Sequence, residues 1–325
     1  MLDPEFEILK LLNENPLISQ RNISKKIGAS LGKVNSVLKK FALEGYIFKN
    51  ETDKGIEYRV TDLGMNLLKN NLQETKRIRL QIHNRSSVEV KEAIILAAGN
   101  RVDFDMPVSL LDIKRFNLID RTIKLLKKSN IKRIILIAGY KSELFDYLKG
   151  ENKDIEIIVN NEYYKSGTMK SLSMAKGVIK NDFLLIESDL IYEERALNEL
   201  INSKERDCIL LTDVSGSGDE ALVELRDGYL FKIAKDIHQL NKIDGEVVGI
   251  TKISYKLFDL MIEEFEKNSS SYINYEYTLL DVARNYDVGF TRIDNLVWGE
   301  IDTIEQYKIV REKIYPKILV NEMRE

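Results

Sequence analysis

The stretch AIILAAGNR, Ala93–Arg101, decides how the rest of the chain is read. Ala93 to Ala97 is an apolar run of strand length, and the chain leaves it on Ala98-Gly99. Small residues at that point let backbone N–H groups approach a bound nucleotide closely. Ligands of open α/β sheets sit beyond the carboxyl ends of the strands, so Ala98, Gly99 and Asn100 are expected to hold a nucleotide and Arg101 to meet its phosphates. An ordinary strand-to-helix turn has the same composition, so the reading needs support from elsewhere in the chain.

Downstream, short apolar runs at Ile134–Ala138, Ile155–Val159, Phe183–Ile186 and Cys208–Leu211 alternate with amphipathic stretches at Leu118–Lys128, Glu143–Lys149, Met169–Val178 and Leu197–Ile201. Such alternation implies a mostly parallel sheet covered by helices on both faces. Hairpin-like runs follow at Ala221–Leu225 and Tyr229–Ile233, then Glu246–Ile253, so the sheet turns mixed. The run FLLIESDLIYE, Phe183–Glu193, ends in acids at the same sheet edge as Gly99. Magnesium takes carboxylate oxygens and leaves its other positions to water and phosphate. Asp189 is the first candidate ligand, and Asp302, in VWGEIDT, is a second that closes the site unless it caps a helix starting at Thr303.

Upstream, Pro4 to about Lys69 is a pattern of its own. Phe6, Leu9, Leu11 and Leu12 mark one helix, Ser19 caps a second with Ile23 and Ile27, and Ser30 caps a third with Val34, Val37, Leu38 and Phe41 inward. Two short strands, Tyr46–Phe48 and Glu57–Val60, flank a polar turn from Asn50 to Gly55. This order resembles the MarR-like winged helix, down to the closing phrase EYRVTDLGMNLL. Outward Lys33, Asn35, Ser36, Lys39 and Lys40 of the third helix suit phosphate and base contacts on duplex DNA. A docking or homodimerisation role for the module is the other reading. The boundaries expected are 1–75 for this domain, 76–91 for a polar linker ending in HNRSSVEV, and 92–325 for the α/β domain.

The bulk numbers narrow the chemistry. One cysteine among 325 residues excludes a disulfide framework or a cysteine-rich metal site, and two distant histidines supply neither zinc chemistry nor a Ser-His-Asp triad well. Carboxylates, lysines and backbone amides are left to do the work. A net charge of −3 gives no global attraction to nucleic acid. No apolar run nears the roughly 20 residues that span a bilayer, and the start MLDPEFEILKLL is acidic where a signal peptide is basic, so no membrane contact and a cytoplasmic location are expected.

The ordered set AIILAAG, IILIAGYKSELFDYL, NNEYYKSGTMKSL, ESDLIYE, GEVVGI and WGEIDT is similar to the nucleotidyltransferase superfamily, and within it to bacterial phosphocholine and 2-aminoethylphosphonate cytidylyltransferases. The resemblance covers Ala93 to Tyr315. It implies a Rossmann-like, mixed, mostly parallel sheet behind a small α+β winged helix. It also implies transfer of CMP from CTP to a phosphorylated amino alcohol or phosphonate, with Mg2+ as cofactor. Leu96 to Gly99 (with Ala97), Gly139 and Tyr140 would line the nucleotide pocket, and Ser166, Gly167, Thr168 and Ser171 would reach base or ribose at a helix N-terminus. Ser188 joins the nucleotide set, Asp189 and Asp302 bind the metal, and Lys235 meets the acceptor phosphate. Tyr163, Tyr164, Tyr275 and Trp298 are candidate cation–π partners of a choline-like head group, with Glu246 and Glu276 beside it.

One segment departs from the resemblance. The family's longer G-x-G-[ST]-R loop and following Pro-Lys pair are here AAGNRVDFDMPVSLL, with Val108 in the lysine's place. Either Lys114, Arg115 or Lys165 supplies that charge, or activity is low or lost. No role is assigned to Asp103 and Asp105. The alternative reading is a transcription regulator whose transferase-like domain senses a nucleotide or head-group metabolite without turning it over.

Overall fold

Two serines begin two of the three N-terminal helices. The Ser19 hydroxyl accepts the Asn22 N–H at 3.2 Å at the start of α2 (Gln20–Ile27), and Ser30 does the same for Lys33 at the start of α3 (Leu31–Leu43). Each cap satisfies an N–H that the helix leaves orphaned, for about 1 kcal/mol. With α1 (Pro4–Glu14) they bury Leu9, Leu12, Ile23, Val34 and Phe41 in one core. Strands β1 (Ile47–Thr52) and β2 (Gly55–Val60) then pair antiparallel, with Thr52 opposite Gly55. The wing is longer than expected. Asn50, Glu51 and Thr52, read from sequence as turn, continue the ladder because an exposed hairpin asks no hydrophobicity of its tip.

The computed structural model describes residues 4–53, 55–68, 88–151, 154–268 and 270–323. The chain divides into two units, Met1–Arg85 and Ser86–Glu325, and the expected linker 76–91 lies outside the described residues up to position 87.

In the second unit a mixed sheet runs through β3 (Glu92–Ala97), β4 (Arg133–Ala138), β5 (Ile155–Val159), β6 (Phe183–Glu187), β8 (Cys208–Thr212), β9 (Leu222–Arg226), β10 (Tyr229–Ala234), β11 (Gly245–Ile253) and β12 (Gly289–Arg292). Its central strands, in the order β6-β3-β4-β5, are all parallel. β3, β4 and β6 are buried along nearly their whole length, which is why they read as apolar runs, while β5 at the end of the order leaves Glu156 exposed. Strand β11 runs antiparallel to β6, β8 and β9 and is buried along its whole length. A separate antiparallel pair joins β7 (Leu190–Tyr192) to β13 (Trp298–Glu300).

From β3 the chain crosses to β4 and β5 on one side, then returns to β6 on the other. The point of reversal, beyond the ends of β3 and β6, is where such sheets open a crevice. Helix lengths depart from expectation in places. Met169–Val178 is helical only within Thr168–Ser173, and the chain turns away at Gly177 with φ 83°. Helices Tyr255–Lys267 and Tyr275–Ala283 were not read from the sequence. Among the described residues no helix is long and apolar enough to cross a membrane.

Candidate active site

The crevice at the strand reversal is lined by Leu96, Ala97, Ala98, Gly99 and Arg101 from the β3 exit, and by Glu187, Ser188 and Asp189 from the β6 exit. The Ser188 N–H donates to the Leu96 carbonyl at 3.2 Å, tying the two exits together. Ser166, Gly167, Thr168 and Ser171 form a further wall, with Tyr163. Asn100 is exposed and, like Gly139 and Tyr140, stands outside this lining; the Tyr140 N–H is given to the Ala98 carbonyl. A Cβ on Gly139 would stand 2.6 Å from that carbonyl, so the β4 exit needs glycine to come this close.

Carboxylates dominate the floor. Glu187, Asp189 and Glu300 offer oxygens within 4.8 Å of one another, and Asp302 follows two residues after Glu300. Burial raises the Glu187 carboxyl well above its ordinary range, and Glu276 and Asp189 push it the same way. Burial, then Asp189 and Asp302, moves Glu300 up to about 8; burial and Asp189 move Glu276 up to about 7. Asp189 is raised chiefly by burial, against the pull of Arg101. Half-buried acids this close together resist ionising side by side, and a cation among them relieves the repulsion. Asp189 Oδ1 is buried and has no hydrogen-bond partner. An all-oxygen set of this kind fits a hard divalent cation. The sequence named Asp189 and Asp302 and missed Glu187 and Glu300, although each missed acid stands two positions before a named one.

Helix capping does not claim Asp302. The helix Ile304–Ile309 is capped by the Thr303 hydroxyl, while the Gln306 side chain accepts the N–H groups of Asp302 and Thr303 at 2.7 and 2.9 Å. The Asp302 carboxylate instead meets Arg101 Nη2 at 2.5 Å, and the same nitrogen reaches Asp189 Oδ2 at 3.1 Å. The two aspartates outweigh burial and raise the Arg101 pKa.

The shortened loop after Arg101 is fastened to the Asp302 segment. Asp103 Oδ2 accepts the Ile304 N–H at 3.4 Å, Phe104 stands edge-on to Tyr307 with ring centroids 6.2 Å apart, and Lys141 donates to the Asp105 carbonyl. Val108 lines the crevice where the resemblance places a lysine. Lys165 is paired with Glu162 at 2.8 Å, and neither it nor Lys114 or Arg115 lines the crevice. Among the described lining residues the cation is Arg101.

The expected helix N-terminus is occupied by the chain itself. Gly167 and Met169 give their N–H groups to the carbonyls of Ser271 and Ile273, and the Thr168 N–H goes to Asn274 Oδ1. What faces the crevice is a hydroxyl wall instead: buried Asn160 donates to both Ser166 Oγ and Ser171 Oγ, at 3.2 and 3.0 Å.

The acceptor set is scattered. Tyr275 is buried, and its phenol donates to Glu187 Oε1 at 2.6 Å. Glu276 Oε2 is buried without a hydrogen-bond partner. Lys235 Nζ pairs with Asp219 at 2.8 Å, while Glu300 and Asp302 help to hold its charge. Glu246 is buried and accepts from the N–H and hydroxyl of Ser215, an anchoring role that takes it out of the acceptor set. Tyr164 is 70% exposed and Trp298 packs against the core, so these two do not form an aromatic cage with Tyr275. In the other unit Lys33, Asn35, Ser36, Lys39 and Lys40 are all exposed on α3, with Lys40 paired to Glu5 at 2.7 Å.

Comparison with known proteins agrees with both units. Residues 1–47 match the family model for the winged helix-turn-helix DNA-binding domain. The chain is similar to the bifunctional IPC transferase and DIPP synthase of Thermococcus kodakarensis, 28% identical over 231 residues that cover 69% of this chain and 50% of that protein. It is also similar to the choline-phosphate cytidylyltransferase of Streptococcus pneumoniae, 31% identical over 117 residues that cover 34% of this chain and 51% of the relative. The chain spans about half the length of these relatives. Among solved structures, the inositol-1-phosphate CTP transferase from T. maritima superposes with a TM-score of 0.61 at 20% identity, over 72% of this chain and 96% of that one. The chain therefore joins a winged helix to a domain of nucleotidyltransferase fold with cytidylyltransferase relatives.

Proposed function

We propose that the second unit transfers CMP from CTP to a small phosphorylated amino alcohol or phosphonate, with magnesium as cofactor and pyrophosphate as leaving group. The observation that carries this reading is the convergence of Asp189, Asp302 and Arg101 on a crevice walled by Ala98-Gly99. An oxygen of the acceptor attacks the α-phosphorus, a new P–O bond forms, and the α–β bridge bond breaks to release pyrophosphate. Asp189 and Asp302, with Glu187 and Glu300 in reach, would hold the cation, which supplies charge neutralisation at the α-phosphate. Arg101 offers its planar fork to the phosphates, a geometry suited to bidentate binding. Ser166 and Ser171 present hydroxyls to the nucleoside. The surplus of acids, with Glu276 Oε2 buried and unpaired, supports an acceptor that carries an ammonium group.

The test is a pyrophosphate-release screen of the four nucleoside triphosphates against phosphocholine, phosphoethanolamine, 2-aminoethylphosphonate and sugar 1-phosphates. CTP with an amine-bearing acceptor should be preferred, and Asp189→Ala should abolish turnover while the thermal melt persists. Wild-type turnover in that variant removes the metal assignment. We also propose that the two units separate within 76–91, where limited proteolysis should cut and leave the transferase active. Val108 in the lysine's place and the exposed lysines of α3 favour a second reading, a DNA-bound sensor of the same ligands. Ligand-dependent DNA binding without pyrophosphate release would establish it.

A further inference from the structure

We infer that Arg101 and a divalent cation compete for the same two carboxylates, and that the nucleotide admits the cation by drawing the guanidinium away. The inference rests on the transferase reading for the identity of the nucleotide, but not for the competition itself.

One nitrogen, Arg101 Nη2, bridges Asp189 Oδ2 and Asp302 Oδ1 at 3.1 and 2.5 Å. Both acids are largely buried, with side chains 15% and 22% exposed, so water screens this contact weakly. A cation held by Asp189 and Asp302 would draw on the same two carboxylates and stand beside a like charge, even where it took the unpartnered Asp189 Oδ1. Each therefore weakens the hold of the other.

Arg101 is also built to leave these acids. Its side chain is 43% exposed, while its backbone is fixed: its carbonyl accepts the Phe104 N–H at 3.1 Å, and Asp103 and Phe104 anchor the loop to Ile304 and Tyr307. The guanidinium can therefore swing without the loop moving. Lys235, the other nearby cation, is turned to Asp219 at 2.8 Å and makes no ion pair with Asp189 or Asp302 among those the described residues form. A polyphosphate at Ala98-Gly99 offers the fork more negative charge, in bidentate geometry, than two separate carboxylates do. Moving Arg101 there opens the acids to the cation, and by linkage the cation tightens the nucleotide by the same factor.

The test measures Mn2+ binding to the full chain by the electron paramagnetic resonance signal of free Mn2+, for wild type, Arg101→Gln and Arg101→Lys. Each is measured alone and with a non-hydrolysable α,β-methylene CTP. Without nucleotide, Arg101→Gln should bind Mn2+ about ten-fold more tightly than wild type, and Arg101→Lys should fall between them. The analogue should tighten Mn2+ binding more in wild type than in Arg101→Gln. If Arg101→Gln binds Mn2+ no more tightly than wild type while its thermal melt is unchanged, the competition is overturned. If Arg101→Gln gains affinity but the analogue changes nothing in any variant, the competition stands and the cytidylyl reading fails.

Discussion

The phenol of Tyr275 donates to Glu187 Oε1 over 2.6 Å, joining two residues 88 positions apart. The bond ties the start of the helix Tyr275–Ala283 to the end of β6; Tyr275 is buried, and Glu187 is half-buried at the edge of the crevice. Tyr275→Phe keeps the ring and deletes the donor, leaving a half-buried acceptor short of its partner. The expected cost is about 1–3 kcal/mol of stability. Transferase activity should fall as well, since Glu187 loses the contact that fixes its rotamer. A denaturant melt and a turnover assay check both, and unchanged values in both would show that the contact contributes nothing.

The buried acids make stability depend on pH. Glu276 and Glu300, ordinarily near 4.5, are moved up to about 7 and about 8 in the folded chain. Between those values the native state holds protons that the unfolded state has released. Their contribution is therefore fully present below about 4.5 and is lost as pH rises through about 7 and 8. The melting temperature in the absence of metal should fall across that window. Glu300→Gln should flatten part of the fall and melt higher than wild type near pH 8. Parallel curves for the two proteins would contradict the burial of Glu300.

Gly167 lies under the 271–274 segment, where a Cβ would stand 2.3 Å from the Ile273 carbonyl and 2.5 Å from that of Tyr272. Backbone cannot yield as a side-chain tip does. Gly167→Ala should cost about 1–3 kcal/mol by overpacking and displace the Ser166–Ser171 wall. A rise in the KM for CTP together with the lower melt is the expected pair of results.

For the winged helix, Lys39→Glu/Lys40→Glu should abolish any shift of duplex DNA in a mobility assay, and wild-type binding should weaken steeply with salt as released counterions require. Because Lys40 already neutralises Glu5 at 2.7 Å, Lys39 and Lys33 should account for more of the effect than Lys40. Identical, salt-insensitive behaviour of wild type and variant would leave the module a docking element.

Much of this was legible in the sequence where the signal is local. Ile155–Val159 and Leu118–Lys128 were bounded to the residue, because four β-branched residues in five mark a short strand and an amphipathic helix keeps its period. Asp189 was visible as an acid just past a strand end. Glu187 was not singled out, because an acid closing the strand itself looks like the strand's polar boundary. The clasp of Gly167 and Met169 by Ser271 and Ile273 was beyond reach, since it joins segments about a hundred positions apart and uses only backbone atoms. The fastening of Asp103 to Ile304 was hidden by distance along the chain alone, since it uses the Asp103 carboxylate.

Gly249 interrupts β11 where its register against β8 shifts, with φ 73°, and a Cβ there would stand 3.2 Å from the Glu187 carboxyl carbon and 3.0 Å from Leu190 Cδ1. Any other residue is penalised twice, once by the left-handed backbone and once by crowding the acid. This makes position 249 a mutational bottleneck: a saturation library there, selected for metal-dependent turnover, should return glycine alone. Strands that merely support the sheet drift among valine, isoleucine and leucine at little cost. Here the supporting strand carries a constraint that belongs to the chemistry, although no atom of Gly249 takes part in it.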